Sequence, residues 1–290
     1  MIFMLKKRLL GLVMTGVLVL GTLTGCGKSE SKKDDNVLRV GMECAYAPFN
    51  WTQETEEVAN GDTAVKIYGS DYYAYGYDVM MAKKLADEMG MELEIHKVEW
   101  DSIGMAMDAG EYDCIIAGMG KTAQREQSYA FTEPYYYRDN CIVVKKGSEL
   151  ENVTGLSQLA GKNVVTTTQL STGWVNILDQ IPDAEFGSNY ATTAECFMAV
   201  SNGVANVAVI DVPTAESAAM TNDDLVVIIL DEEDGFVGDE EMTNVCIATR
   251  KDDTELRDKI QEAMDNLGWN DKAEMDEMME EAMKLQPAAN

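Results

Sequence analysis

Between Asp113 and Arg125 the chain reads DCIIAGMGKTAQR, and these residue types at this spacing suit the holding of a small anion. Cys114 to Ala117 is an apolar run of strand length, Gly118 and Gly120 follow, and Thr122 stands where it can cap a helix. Glycines let a ligand approach the main chain, the first turn of a helix offers unpaired amide hydrogens, and Arg125 adds a planar, bidentate donor. A carboxylate or a phosphate fits that set.

Two better-known motifs overlap the same letters. Gly120-Lys121-Thr122 ends like a nucleotide-binding P-loop, but that loop needs a glycine five residues before Gly120, where Ile115 stands. The run Gly118 to Ala123 also fits the loose dinucleotide fingerprint, a short glycine pattern that carries little weight without its surrounding strand and helix.

The rest of the inventory narrows the chemistry. The single histidine, His96, has no second histidine with which to share a metal and lies between Ile95 and Val98 in a strand-like run. No metal or other cofactor is expected. There are six cysteines, none in CxxC spacing, and Cys114, Cys141 and Cys246 sit in apolar runs as small core residues do, so Cys44, Cys114, Cys141, Cys196 and Cys246 are expected as free buried thiols. No paired carboxylates stand at a telling spacing, and no nucleophile has a base beside it. The net charge of −28 repels nucleic acid and anionic lipid and speaks against direct binding to either.

The elements that must position these groups begin after a leader. Lys6, Lys7 and Arg8 form a basic head, Leu9 to Leu23 is apolar, and Leu23-Thr24-Gly25-Cys26 follows. This is similar to a bacterial lipoprotein signal, with residues 1–25 removed and Cys26 lipidated. Residues 26–36, rich in Ser, Lys and Asp, read as a tether.

Val37 to Gly41 reads as a strand, and Asn50 to Gly76, polar and aromatic without period, as an excursion over the surface. Asp78 to Met89 is an amphipathic helix stopped by Gly90, Met91 to Trp100 a strand, and Asp101 to Gly110 a capped helix leading to the Asp113 stretch. This alternation indicates a parallel α/β lobe. Phe131 to Tyr137 and Asn140 to Val144 are extended, Pro134 excluding a helix, and suit a crossover. Beyond it the alternation repeats. Helices are expected over Leu156 to Gly161, from the Ser171-Thr172-Gly173 cap to Leu178, and from a Thr193 cap to Gly203. Strands are expected over Lys162 to Thr167, Val207 to Ile210 closed by Asp211, and Val226 to Leu230. The acidic stretch Asp231 to Glu241 reads as the return path. Val245 to Thr249 is a strand, followed by helices from Thr254 to Leu267 and from Lys272 to Leu285.

Several of these segments occur together in a recognisable order: Tyr46-Ala47-Pro48-Phe49, Gly76-Tyr77-Asp78-Val79, Trp100-Asp101, Ala117-Gly118-Met119 with Thr122 and Arg125, Phe131-Thr132-Glu133-Pro134-Tyr135, Leu159-Ala160-Gly161-Lys162 and Asp211. The chain thus closely resembles the family 3 solute receptors, the polar amino-acid-binding proteins of bacterial ABC importers. The resemblance implies a two-lobed periplasmic-binding-protein fold of type II, α/β, with lobes joined by two hinge strands. Residues 37–137 with 242–290 would form one lobe and residues 138–241 the other. It implies a monomer anchored through Cys26 at the outer or periplasmic face of the plasma membrane, taking a free amino acid to an ABC permease.

The resemblance also assigns roles. Arg125 would clamp an α-carboxylate with main-chain amides of Ser171 and Thr172, and Asp211 would accept the α-ammonium with the Gly118 carbonyl and the Gly120 region beside it. Tyr46 and Trp100 would flank the ligand side chain, and Glu43 would meet its tip, leaning towards a cationic or amide group. The chain departs from the family pattern at Gly120, where many members carry Ser or Thr, at Lys121, at Gln169, where glycine is common, and in the length of Asn50 to Gly76. The alternatives are an enzyme on the same fold, dehydratase-like, with Glu43 or Glu133 as the proton-transfer group, and a ligand-sensing subunit.

Overall fold

The computed structural model describes residues 36–238 and 243–287. The expected signal sequence, Cys26 and the tether up to residue 35 lie outside the described residues, as do residues 239–242 of the acidic return path.

From the amino end come β1 (Val37–Met42), β2 (Ala45–Tyr46), β3 (Asn50–Gln53), β4 (Val65–Lys66), β5 (Tyr73–Tyr75), α1 (Tyr77–Met89) and β6 (Glu92–Lys97). Then follow α2 (Ile103–Asp108), β7 (Cys114–Ile115), β8 (Tyr129–Tyr137), β9 (Asn140–Lys145), β10 (Val165–Thr167) and β11 (Glu185–Phe186). The chain continues with α3 (Thr193–Ser201), β12 (Val207–Asp211), α4 (Val212–Thr221), β13 (Leu225–Ile228), β14 (Asn244–Arg250), α5 (Thr254–Asn266) and α6 (Lys272–Leu285).

Two five-stranded sheets carry the architecture. The first has the order β6-β1-β7-β14-β8, with β1 parallel to β6 and β7 and β14 antiparallel to β7 and β8. The second has the order β11-β10-β12-β9-β13, with β10 parallel to β11 and β12 and β9 antiparallel to β12 and β13. This is the two-lobed α/β fold that the resemblance implies. In both sheets the central strands are covered on both faces. β12 (VAVID) is buried along its whole length, which is why its sequence is nearly continuous in apolar residues where a half-exposed strand would alternate.

The chain passes between the sheets through Arg138 and Asp139. There the Arg138 amide donates to the Thr243 carbonyl at 2.8 Å, and Asn244 pairs with Tyr137, so the outgoing and returning segments are bonded side by side. Pro134, which has no amide hydrogen to give, lies in β8 beside the register shifts against β14.

Several local expectations are corrected. The stretch Asn50 to Gly76 is no irregular excursion, because β3, β4 and β5 join β2 in a small antiparallel sheet in the order β2-β3-β5-β4. Trp51, Ile67 and Tyr75 are buried there, whereas Tyr68 and Tyr72 are exposed, so the stretch is half core and half surface. Asp101 caps no helix; a 3₁₀ turn over Trp100–Ser102 precedes α2. The helix expected after Thr122 is a single 3₁₀ turn, Arg125–Gln127, since β8 begins at Tyr129 and leaves no room for a second turn. The segments at Leu156–Leu159 and Gly173–Gln180 are 3₁₀ as well. Thr192, one residue before the expected cap, caps α3 in a reciprocal box with Glu195. Helix α4, with Pro213 in its first turn, was not anticipated.

Candidate functional site

The site lies between the two sheets, where strand ends and their following loops meet. This is the position at which open α/β sheets hold ligands, because main-chain groups and helix starts converge there. A narrow cavity of about 20 Å³, room for about one water, is lined by residues of both lobes. Glu43, Tyr46, Trp100, Gly118 and Arg125 come from the first sheet and its loops, Thr172 and Trp174 from the second, and Arg138 from the passage between.

Gly118 begins the turn after β7. Its φ of 63° is left-handed, and a Cβ at this position would lie 2.5 Å from the Tyr46 ring, so both backbone and space require glycine. Its amide donates to the Tyr135 hydroxyl at 3.1 Å, and that hydroxyl donates to Asp78 at 2.6 Å. Asp78 is fully buried in the first turn of α1 and also accepts from Asn50 at 2.7 Å. Burial pushes its carboxyl up to about 6 against the opposing pull of those donors. The turn is thus braced from behind by a buried carboxylate.

Arg125 follows. Thr122 Oγ1 accepts from its amide at 3.1 Å, so the expected capping contact is present although the helix is not. The guanidinium donates through Nη1 to the Gly120 carbonyl at 2.8 Å and through Nη2 to the Ser171 carbonyl of the other lobe at 3.1 Å. It lies over the Trp100 ring, 5.3 Å from the centroid, and Trp100 Nε1 also donates to the Ser171 carbonyl at 3.4 Å. Ser171 presents that carbonyl through a left-handed backbone, φ 59°. Burial, with the charge of Arg138 adding to it, lowers the Arg125 guanidinium to about 10.

Asp211 ends β12 and caps α4. Oδ1 accepts from the Thr214 amide at 2.9 Å and Oδ2 from the Tyr46 hydroxyl at 2.5 Å. Tyr46 is stacked on Phe49 at 4.9 Å, and burial followed by the Asp211 charge pushes its hydroxyl well above the usual tyrosine range. It therefore stays a donor.

Arg138 was not singled out from the sequence. It is 8% exposed, and its Nη1 donates to the Gly118 carbonyl at 2.9 Å and contacts the Tyr46 hydroxyl at 3.1 Å, while the guanidinium lies over Trp174 at 4.8 Å. Nε is buried with no hydrogen-bond partner among the described residues. Burial disfavours its charge, but Tyr46 and Asp211 more than compensate and raise its pKa. The only signal in the sequence is an arginine followed by two polar residues inside an otherwise apolar extended run, which reads equally well as a surface charge.

Glu43, 5% exposed, faces Gln169, whose Nε2 lies 3.3 Å from Oε1 and donates to the Ala191 carbonyl at 3.0 Å. Burial raises the Glu43 carboxyl to about 7, Gln169 opposing. Thr172 Oγ1 donates to the Gln169 carbonyl at 2.7 Å and thereby shapes the turn before Gly173. Cys44, Cys114, Cys141, Cys196 and Cys246 are all buried free thiols. Burial pushes Cys44, Cys196 and Cys246 up to about 12, so these thiols are core groups. Among the described residues no cluster of His, Cys, Asp or Glu is arranged to hold a metal, and no helix is long and apolar enough to cross a membrane.

Every candidate ligand-binding residue from the sequence therefore falls in or against one cleft. The arrangement offers an anion two guanidinium groups and offers a cation two buried carboxyl groups.

Comparison with known proteins follows the same line. The chain is 27% identical over 277 residues to the arginine-binding extracellular protein of Bacillus subtilis (strain 168), covering 93% of this chain and 96% of that protein. It is 26% identical over 276 residues to the L-arginine-binding protein of Pseudomonas aeruginosa, covering 93% of each. Among solved structures, an amino acid ABC transporter substrate-binding protein from Streptococcus pneumoniae bound to L-arginine superposes with a TM-score of 0.67 at 22% identity, over 87% of this chain and 97% of that one. An ancestral amino-acid-binding protein, a precursor of cyclohexadienyl dehydratase, superposes with a TM-score of 0.66 at 26% identity, over 86% and 96%. The profile of the bacterial extracellular solute-binding proteins, family 3, matches residues 38–281, and the chain belongs to that family.

Proposed function

We propose that this chain is the substrate-binding protein of an ABC importer, capturing an amino acid between its lobes and delivering it to a membrane permease. Cys26, lipidated, would anchor it at the outer or periplasmic face of the plasma membrane. Arg125 clamps the α-carboxylate, with Ser171 and Thr172 closing from the other lobe. Asp211 with Gly118 and the Gly120 region forms the opposite pole, Tyr46 and Trp100 flank the side chain, and Glu43 meets its tip. The observation that carries this reading is Arg125: a half-buried guanidinium that reaches across the cleft to the Ser171 carbonyl, where a ligand's carboxylate would be the stronger partner. Two relatives named for arginine binding, together with Glu43, favour a cationic or amide side chain.

Titration of the mature protein with the twenty amino acids by calorimetry tests this reading. A tight complex is expected for at least one of them and is lost in Arg125→Ala. Tight binding that survives the substitution overturns the site.

Glu43, a buried carboxyl with its pKa near neutrality, is the one observation that favours an enzyme, because such a group can pass a proton at physiological pH. Turnover of prephenate or arogenate is expected to be nil, and measurable turnover abolished by Glu43→Gln would reverse the assignment. A sensing subunit would use the same cleft and is distinguished by a transport assay.

A further inference from the structure

The Asp211 pole of the cleft is already occupied by the chain. An ammonium group has three hydrogens to donate and nothing with which to accept, so it requires free acceptors. Each acceptor at this pole already takes one hydrogen bond from the chain: Asp211 Oδ1 from the Thr214 amide, Asp211 Oδ2 from the Tyr46 hydroxyl, and the Gly118 carbonyl from Arg138. A fixed cation stands among them. Arg138 lines the cavity, is nine-tenths buried, and keeps an unpartnered Nε among the described residues. Its guanidinium is held by the Gly118 carbonyl and the Tyr46 hydroxyl and covered by Trp174. Trp174 is itself held by a hydrogen bond to Asn140 at 2.8 Å.

We propose that Arg138 is a specificity-determining residue whose guanidinium fills, from within the chain, the position an incoming α-ammonium would take, so that the cleft accepts small carboxylates bearing an acceptor at C2. This rests on the reading of Arg125 as the carboxylate clamp and deepens it by naming the ligand class: 2-hydroxy and 2-oxo acids are held comparably to the matching amino acids or better. Arg125 takes the carboxylate in either case. The group at C2 then meets the Arg138 guanidinium, to which a hydroxyl or oxo oxygen can accept a hydrogen bond and which repels an ammonium.

The test is calorimetric titration of the mature protein, and of Arg138→Ser and Arg138→Gln, with the twenty amino acids and with the 2-hydroxy and 2-oxo acids corresponding to alanine, leucine, phenylalanine, glutamate and arginine. In the wild type the hydroxy or oxo acid is expected to bind within about tenfold of its amino acid or more tightly. In the variants the amino acid is expected to win by on the order of a hundredfold, because Asp211 and the Gly118 carbonyl are released to an ammonium. A wild type that prefers the amino acid by a hundredfold or more, or a preference the substitutions leave unchanged, overturns this proposal while leaving the transport reading intact. Binding of hydroxy or oxo acids alone upholds it and removes the amino acid as cargo. A wild type that binds nothing while a variant binds an amino acid upholds it too, and failure of all three proteins to bind any probe overturns both readings. If neither variant folds, the wild-type ratio decides.

Discussion

Two guanidinium groups line the same cleft, each over a tryptophan face, in opposite circumstances. Among the described residues Arg125 donates only to main-chain carbonyls, and burial with a like charge nearby lowers its pKa to about 10. Arg138 has Tyr46 and Asp211 beside it, and they raise its pKa despite fuller burial. Arginine on an aromatic face does not by itself define a binding group. What separates the two is the acceptor opposite: a neutral carbonyl leaves the cation in want of an anion, whereas a carboxylate held in a hydrogen-bonded network satisfies it.

This contrast can be broken most directly at Arg125. Arg125→Ala should weaken the tightest ligand found by about a thousandfold, or roughly 4 kcal/mol, with little change in the thermal unfolding midpoint, because only ligand binding depends on that cation. Equal losses of affinity and stability would mean that the two arginines are both structural. Asp211→Asn should act the other way. Removing the carboxylate beside a buried guanidinium costs about 3 to 4 kcal/mol of folding free energy, to be read from urea unfolding. A stability unchanged within error would contradict the electrostatic support that Asp211 gives Arg138.

Glu43 sharpens the comparison through pH. A carboxyl whose pKa is raised on folding, here from 4.5 to about 7, stabilises the folded state while protonated in both states, and that contribution is lost as pH rises through the folded pKa. Wild-type stability relative to Glu43→Gln should therefore fall by about 3 kcal/mol between pH 4 and pH 8. Asp78, raised in the same direction, cancels in this difference. A flat difference across that range would show Glu43 to be solvated. The smallest effect is expected at Gly118→Ala, where a left-handed φ and the approach of Tyr46 together cost about 2 kcal/mol. The substitution should lower the melting temperature and shift the Tyr46 ring, and an unchanged near-ultraviolet circular dichroism spectrum would argue that the turn relaxes without cost.

Much of the fold was legible because local rules and tertiary demands agreed. Gly90 in a left-handed conformation ends α1 where the sequence places a stop, and the buried run Val207 to Ile210 is a central strand. Reading failed where two patterns give the same letters. Trp51, Ile67 and Tyr75 look like an irregular loop because their burial comes from a small sheet with no period of its own within so short a span. Asp211 could be read as a strand end or as a cap, and it is both, so α4 behind it went unseen. Thr122 before Arg125 suggested a helix start, whereas β8 follows too closely to permit one.

By itself, the sequence determined the family and the alternation of strands and helices, and it pointed to the arginine proposed to take an anion, because these depend on residue type and near-neighbour spacing. Only the tertiary structure decided which charge faces which. Arg138 and Asp211 are far apart along the chain and come to share the Tyr46 hydroxyl because the linking segment runs past the end of β12. Whether a buried arginine seeks a ligand or is already satisfied depends on that distance, which no stretch of residues encodes locally.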